Sequence, residues 1–566
     1  MKKFSENMNS FLKAAQTSKG SAYTENGAKS YASTGSELTD QFGKAASYRG
    51  RDLSVVFDEQ ARLYKENPEA AIRFPFYLRL ITRQVKLDNG SLTEKVQKGS
   101  GNRDEAYKRL LWMAEYIPAA FNRNLWILPL VGSWKDLWQL LSLDMENHNV
   151  IDREAVFAII ADGIVNENTT DLVRKYLPRI RSTKKCTTVW AKNTNALAKE
   201  FVAFLNKNLP EGYDVRDYRE LKSGGEAHKF QQYITKGLYD QIDFKSIPGK
   251  ALLNLVSGNF LGNHNLTDKY VEWLKSQPVV KFNGYPYELG AKLENHGYLR
   301  RSKSNSVSLA TKITVDKQFE NLIRTGEKDG AAITGNVWCA LDTSGSMTSI
   351  IGGTGNISAY NVCKSLGIYF ATLNKGAFHK NVIMFDSTSR IKQLSGSFSE
   401  MWKQIPDDAM GSTNFQSVVD EIVRVRRNSP DIPLEDYPST LLVVSDMQFN
   451  PANGYWYSSY RDNYDSEVET NIEAAKRKLR SEFPDEWVEN FKFIWWNVTS
   501  RETADFPATL DHGGSYFFSG FDGAVISFIL GGNAEVVDEA TGQKRQPTME
   551  EVIDAAFNQE ILTLVK

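Results

Sequence analysis

Beyond residue 330 the chain is written as short, wholly apolar runs separated by stretches at helical spacing, a pattern that few folds accept. Gly335–Leu341, Val382–Phe385, Thr440–Val444, Phe491–Val498 and Tyr516–Phe518 read as strands. Ala359, Cys363, Leu366, Phe370 and Leu373 read as one helix face between them, as do Phe415, Val418, Ile422 and Val425, and then Val468, Ile472, Ala475 and Leu479. A final apolar helix is expected around Val525–Leu530. Strands that are apolar on both faces and alternate with helices predict a doubly wound parallel sheet covered on both sides.

The first half has a different texture. Ala106, Leu110, Met113, Ala114 and Ile117 make a helical stripe, entered through the loop residues Gly99–Asn102. Further helical blocks are Trp134–Leu141, Ala155–Ile164, Asn195–Leu205 and Asp268–Leu274, and strand-like alternation is scarce before residue 330. Stacked helical pairs, a degenerate HEAT-like solenoid without a visible exact period, fit this best. Residues 1–22 are expected to be flexible, because the Ser-, Gly- and Lys-rich start has few apolar side chains. The expected division is therefore 1–22, a helical-repeat domain at 23–329, an α/β domain at 330–532, and a hairpin and helix at 533–566 that packs back on the first domain.

Charge divides along the same line. Residues 1–330 carry 49 Lys and Arg against 38 Asp and Glu, whereas residues 331–566 carry 19 against 31. A basic half attracts phosphates and an acidic half repels them. The three cysteines, Cys186, Cys339 and Cys363, make neither a disulfide framework nor a four-thiolate zinc site. No apolar run approaches the ~20 residues needed to span a bilayer, and the polar start is unlike a signal peptide. The expectation is a cytoplasmic protein with no membrane partner. The chain has no P-loop, GxSxG elbow, kinase loop set or HExxH, which points away from catalysis.

The chemistry concentrates at the end of the first predicted strand, in Asp342-Thr343-Ser344-Gly345-Ser346. Thr413, just before a helix, and Asp446, just after a strand, lie in loops on the same sheet edge, where doubly wound sheets bind ligands. Two carboxylates and three hydroxyls are hard oxygen donors suited to Mg²⁺ or another divalent cation. Such a weakly charged set leaves the ion able to take a carboxylate from a partner.

Asp342, Ser344, Ser346, Thr413 and Asp446 together resemble the metal-ion-dependent adhesion site of von Willebrand factor A domains, whose pattern is DxSxS followed by a distant Thr and a distant Asp. The first half resembles the TROVE family, the Ro ribonucleoproteins, and more closely its relatives in phages and plants. The stretches that carry this are Lys98–Glu105, Gly132–Leu137, Asp217–Arg219 and Asp243–Ala251. The likeness is one of order and short motifs over residues 23–530. It implies a ring of helical repeats closed by a Rossmann-like A domain, with structured or misfolded small RNA bound to the basic ring and no particular preference for DNA.

Two basic clusters are compatible with RNA. One is Arg174, Lys175, Arg179, Arg181, Lys184 and Lys185, six cations in twelve positions; the other is Arg300 and Arg301. Arginine forks onto phosphate and stacks on bases, and Tyr176 and Trp190 lie close by. A charge run also serves simply to solvate a loop. Arg103, Lys108 and Arg109 are weaker candidates, able to pair with Asp104 and Glu105 on their own helix. Trp134, Trp138, Trp495 and Trp496 are expected in the core. The reading is a noncatalytic RNA-binding scaffold with a Mg²⁺-binding A domain. Rival readings are an A-domain adaptor of a MoxR-type AAA+ ATPase and a phage virion component; a metal-dependent nuclease ranks last.

Overall fold

The computed structural model describes residues 21–209, 212–224, 229–294, 307–328, 337–352, 354, 357–407, 409–452, 469–499, 505–530, 536–537, 544–545 and 547–566. The expected flexible segment 1–22 therefore lies almost wholly outside the described residues, as do Arg300, Arg301 and most of the hairpin expected at 533–546. The chain divides into two compact units. One comprises residues 1–50 and 276–555, the other residues 51–275 and 556–566.

The first unit is built on a six-stranded sheet. Its strands follow a small antiparallel hairpin of β1 (Ser21–Tyr23) and β2 (Lys29–Tyr31). They are β3 (Trp338–Asp342), β4 (Asn381–Phe385), β5 (Ser389–Gln393), β6 (Thr440–Ser445), β7 (Lys492–Asn497) and β8 (Ser515–Ser519). The spatial order is β5-β4-β3-β6-β7-β8. All neighbours are parallel except β4 and β5. The expectation of a wholly parallel, doubly covered sheet is corrected at that edge. Ser389–Gln393 has one apolar residue, Ile391, is partly exposed, and returns antiparallel from β4 through a three-residue turn.

The apolar strands β3, β6 and β8 are buried along their whole length, as runs covered on two faces must be. Trp495 packs on Phe415, Phe449 and Phe493, while Trp496 packs on Phe370 and stacks on Phe518. The two neighbouring indoles thus serve opposite faces of the sheet, and both are core. The helix Ala359–Leu373 starts at a capping box of Ser358 and Asn361 and is buried almost throughout. Gly367 lets it lie close against β3, because a Cβ there would stand 2.3 Å from Leu341.

The sequence boundary near residue 330 does not coincide with the boundary of this unit. Phe319, on the helix Leu309–Lys328, stacks on Phe398, and Asp316 accepts hydrogen bonds from the backbone and hydroxyl of Ser399. At the other end, Phe42 packs edge-on to Phe518, and the Ser47 hydroxyl donates to Thr499 O. The helices Leu309–Lys328 and Glu37–Ala45 supply most of these contacts, and helical texture is why both read as part of the helical half.

The second unit is helical. Its longer helices include Leu53–Glu66, Pro68–Arg79, Arg103–Tyr116, Lys135–Asn147, Arg153–Val165 and Val189–Asn208. Arg103–Tyr116 begins where expected, with the Asn102 side chain capping the Glu105 N–H. It is not amphipathic, however: Glu105 to Ala114 are all buried. The burial of charge is possible because each charge is matched. Arg51 bridges Glu59 and Glu105, and Arg109 reaches Glu59, donates to Gln60 and lies over the Phe74 ring. Lys108 donates to Arg51 O and Asp104. The pairing with Asp104 and Glu105 therefore accounts for Lys108 and Arg109. Trp134 and Trp138 are buried, as expected of core residues. Residues Ala556–Lys566 belong to this unit, with Phe557 packed on Phe74 and Tyr77.

Among the described residues no helix is long and apolar enough to cross a membrane.

Candidate functional site

In the sheet unit, β3 is flanked by β4 on one side and β6 on the other, so the chain winds outward in both directions from the β3–β6 junction. A crevice opens beyond the carboxyl ends of two strands at such a point. Leu341 pairs with Val444, which brings the end of β3 level with Ser445 and sets Asp446 just beyond it. The register alone therefore places both carboxylates at one spot.

Side-chain geometry completes the cluster. Asp342 Oδ1 accepts from the Ser344 N–H at 2.9 Å, and Asp342 Oδ2 accepts from the Ser445 hydroxyl at 2.5 Å. Ser344 Oγ lies 3.1 Å from Ser346 Oγ and 3.0 Å from Thr413 Oγ1. Asp446 Oδ1 accepts from the Gln448 N–H, and its field reaches Asp342. Asp342, Ser344, Thr413 and Asp446 are buried, and Ser346 is half-buried. Backbone bonds knit the three loops: Gly345 N–H to Gly411 O, Met410 N–H to Thr343 O, and Asn450 N–H to Thr413 O. The structure thus brings together all five residues singled out in the sequence.

Burial first, and the Asp446 charge second, push the Asp342 carboxyl well above the usual carboxylate range. Two carboxylates crowded in a buried crevice are an electrostatic liability that a divalent cation relieves. Among the described residues no group of three or more His, Cys, Asp or Glu side chains converges. The donors are two carboxylates and hydroxyls, with no nitrogen or thiolate, and they fit a hard cation such as Mg²⁺. Cys363 lies beneath, its thiol facing Asp342 O and Val444 O. Burial raises its pKa well above the ordinary thiol value, so it stays protonated and is a poor nucleophile.

Three neighbours escape a sequence reading. Ser445 holds Asp342, and strand register was the signal that could have found it. Asn450 accepts from the Thr413 N–H and donates to Ser412 Oγ. Asn26, in the turn of the β1–β2 hairpin, donates to Gln448 O at 2.5 Å and lies 3.5 Å from Thr413 Oγ1. The same turn is fixed by Thr24 Oγ1 donating to Phe449 O and by the Glu25 N–H on the Gln448 side chain. Met447, between Asp446 and that docking segment, adopts φ 64°, a left-handed conformation that side chains avoid unless the surroundings hold it.

The basic cluster of the helical unit is only partly assembled into a site. Arg179, Arg181 and Lys185 line one cavity, whereas Arg174, Lys175 and Lys184 do not. Lys175 lies over the ring of Tyr176, and Trp190 over which Lys135 sits is partly exposed. Arg219, Lys222 and Lys236 join the same cavity from two later helices, and the linear charge run gave no sign of them.

Residues 337–562 match the family model of a domain of unknown function (DUF7788), which spans the described strands of the sheet from β3 to β8 and all five clustered residues. No curated protein and no solved structure matches the chain.

Proposed function

We propose that this chain is a noncatalytic binding protein of the Ro type: a HEAT-like helical scaffold for structured or misfolded small RNA, joined to a von Willebrand factor A-like domain that holds a divalent cation. One observation carries the metal half. Ser344 Oγ sits within 3.1 Å of both Ser346 Oγ and Thr413 Oγ1, beside Asp342 and Asp446, at the point where the strand order reverses. Asp342, Ser344, Ser346, Thr413 and Asp446 would hold the cation, either directly or through water. The ion would supply an electrophilic face to a partner's Asp or Glu.

The residues' own contribution is positional. Ser445 and the Ser344 N–H orient Asp342, and Asn450 orients the Thr413 backbone. The RNA half rests on the excess of cations in the first half of the chain and on the unmatched cations of the helical unit.

The test is retention of structured and single-stranded RNA on nitrocellulose as salt is raised. The expected result is affinity at low salt that weakens steeply as salt increases. Absence of retention at low salt, or retention indifferent to salt, overturns the RNA reading. Calorimetric titration with Mg²⁺ and Mn²⁺ tests the metal reading separately, and a flat response overturns it.

A further inference from the structure

The cavity in the helical unit has a volume of about 630 Å³ and draws its walls from three separate segments. Arg179, Arg181 and Lys185 come from the loop before the helix Val189–Asn208, Arg219 and Lys222 from the helix Val215–Ser223, and Lys236 from the helix Lys229–Lys236. Among the described residues no Asp or Glu lines it, and none of the six cations forms an ion pair. This is unusual within the same unit. Arg51, Arg79, Arg109 and Arg153 each meet a carboxylate, and even the exposed Arg216, on the same helix as Arg219, pairs with Glu220. Six like charges converging on one hollow focus a positive potential into the cavity. Lys222 feels it directly: burial and the facing Arg179 push its pKa down to about 8.

We propose that this cavity is a binding site for a phosphomonoester, the dianionic phosphate that ends a polynucleotide or a free nucleotide. Three features select that chemistry. The volume falls in the ~300–1,000 Å³ range of small-ligand pockets, enough for one terminal nucleotide and too small for a duplex. The cations surround one hollow from three segments, so a phosphate at a chain end, tethered on one side, reaches more of them than an internal phosphodiester flanked by two sugars. A monoester also carries about two negative charges near neutral pH, against one for a diester. Recognition is of the phosphate and not of the base. Among the described lining residues the one aromatic ring, Tyr218, is fully buried with its hydroxyl committed to Pro178 O and offers no face for stacking.

The inference rests on the proposed function only for the RNA as source of the phosphate. The test is fluorescence anisotropy of the full chain with short, internally labelled single-stranded oligoribonucleotides bearing a 5′-phosphate, a 3′-phosphate or neither. Uridine monophosphate and inorganic phosphate are titrated calorimetrically in parallel. A phosphorylated end is expected to bind about tenfold more tightly than a hydroxyl end, the scale of one added charge-assisted contact. Arg219→Gln and Lys236→Gln, both at exposed positions where folding is undisturbed, are expected to abolish that difference; circular dichroism confirms their fold. Equal affinity for phosphorylated and hydroxyl ends overturns the pocket assignment and leaves the RNA reading standing. Binding of uridine monophosphate, lost in Arg219→Gln, with no RNA affinity overturns the RNA reading and upholds the pocket. Binding of none of the probes, or a phosphate preference untouched by both variants, overturns the pocket.

Discussion

Ser445 Oγ donates a 2.5 Å hydrogen bond to Asp342 Oδ2 across the junction of β3 and β6. The bond joins residues 103 positions apart and both are fully buried. It fixes one carboxylate oxygen, while the Ser344 N–H fixes the other, so Asp342 has no freedom to rotate. Ser445→Ala is expected to cost about 1.5–3 kcal/mol, the range for a hydrogen bond to a buried charged group. It is also expected to lower divalent-cation affinity by about 10- to 100-fold, as loss of a supporting contact does. Urea unfolding without cation and calorimetry with Mn²⁺ read the two effects apart.

Asp342→Asn removes one of two repelling charges from a buried crevice. The metal-free variant is expected to unfold at equal or higher temperature than the parent, since the ionised form is the one burial penalises. The rise in melting temperature that Mg²⁺ gives the parent is expected to vanish. A variant that is still stabilised by Mg²⁺ places the cation elsewhere.

Asp136 is the hub of a buried cluster in the helical unit. It pairs with Arg79 at 2.6 Å, accepts from the Tyr107 hydroxyl at 2.6 Å, and accepts from the N–H and hydroxyl of Ser133. Gly132 is needed beside it, because a Cβ there would stand 2.0 Å from Asp136 Oδ2. Asp136→Ala removes a counter-charge from the buried Arg79 and is expected to destabilise the unit by about 3–5 kcal/mol. Denaturant unfolding checks this, with Mn²⁺ affinity as the property expected to stay unchanged.

Phosphate binding in the basic cavity is expected to weaken as pH rises through about 8. Lys222 faces Arg179, Arg181, Lys185, Arg219 and Lys236, and its folded pKa lies below the ordinary lysine value because the charged form is the disfavoured one. Rising pH removes that charge, whereas the arginines keep theirs. On the acid side, protonation of the phosphate near about pH 6 also weakens binding. The affinity for uridine monophosphate therefore peaks near neutrality, and Lys222→Met is expected to flatten the alkaline limb alone.

The two sites were unequally legible in the sequence. Asp342, Ser344 and Ser346 stand at alternate positions of one five-residue stretch, and Thr413 and Asp446 sit at strand and helix boundaries that apolar runs define, so local pattern and one topological rule suffice to gather them. Arg219, Lys222 and Lys236 come to Arg179 only through helix packing, which no linear charge count contains. Glu105, Lys108 and Arg109 mislead in the opposite sense. Apolar periodicity treats them as a solvent face, yet mutual pairing lets them be buried. Gly132–Leu137, read as a family motif, turns out to surround the Arg79–Asp136 pair, so its glycine and aspartate answer to packing. The β1–β2 hairpin was missed because its residues are polar and its partners lie more than four hundred positions away.

That separation bears on biosynthesis. Thr24 and Asn26 leave the ribosome early, but Phe449 and Gln448, which hold them, are translated 425 and 422 residues later. Most of the helical unit, residues 51–275, emerges in the interval, ahead of its last segment, Ala556–Lys566. The nascent N-terminal segment must therefore stay unengaged while an intervening body folds, and the hairpin docks beside Thr413 as a late, high-contact-order event. Any premature partner for that segment, a chaperone included, would delay completion of the sheet unit and not the helical one.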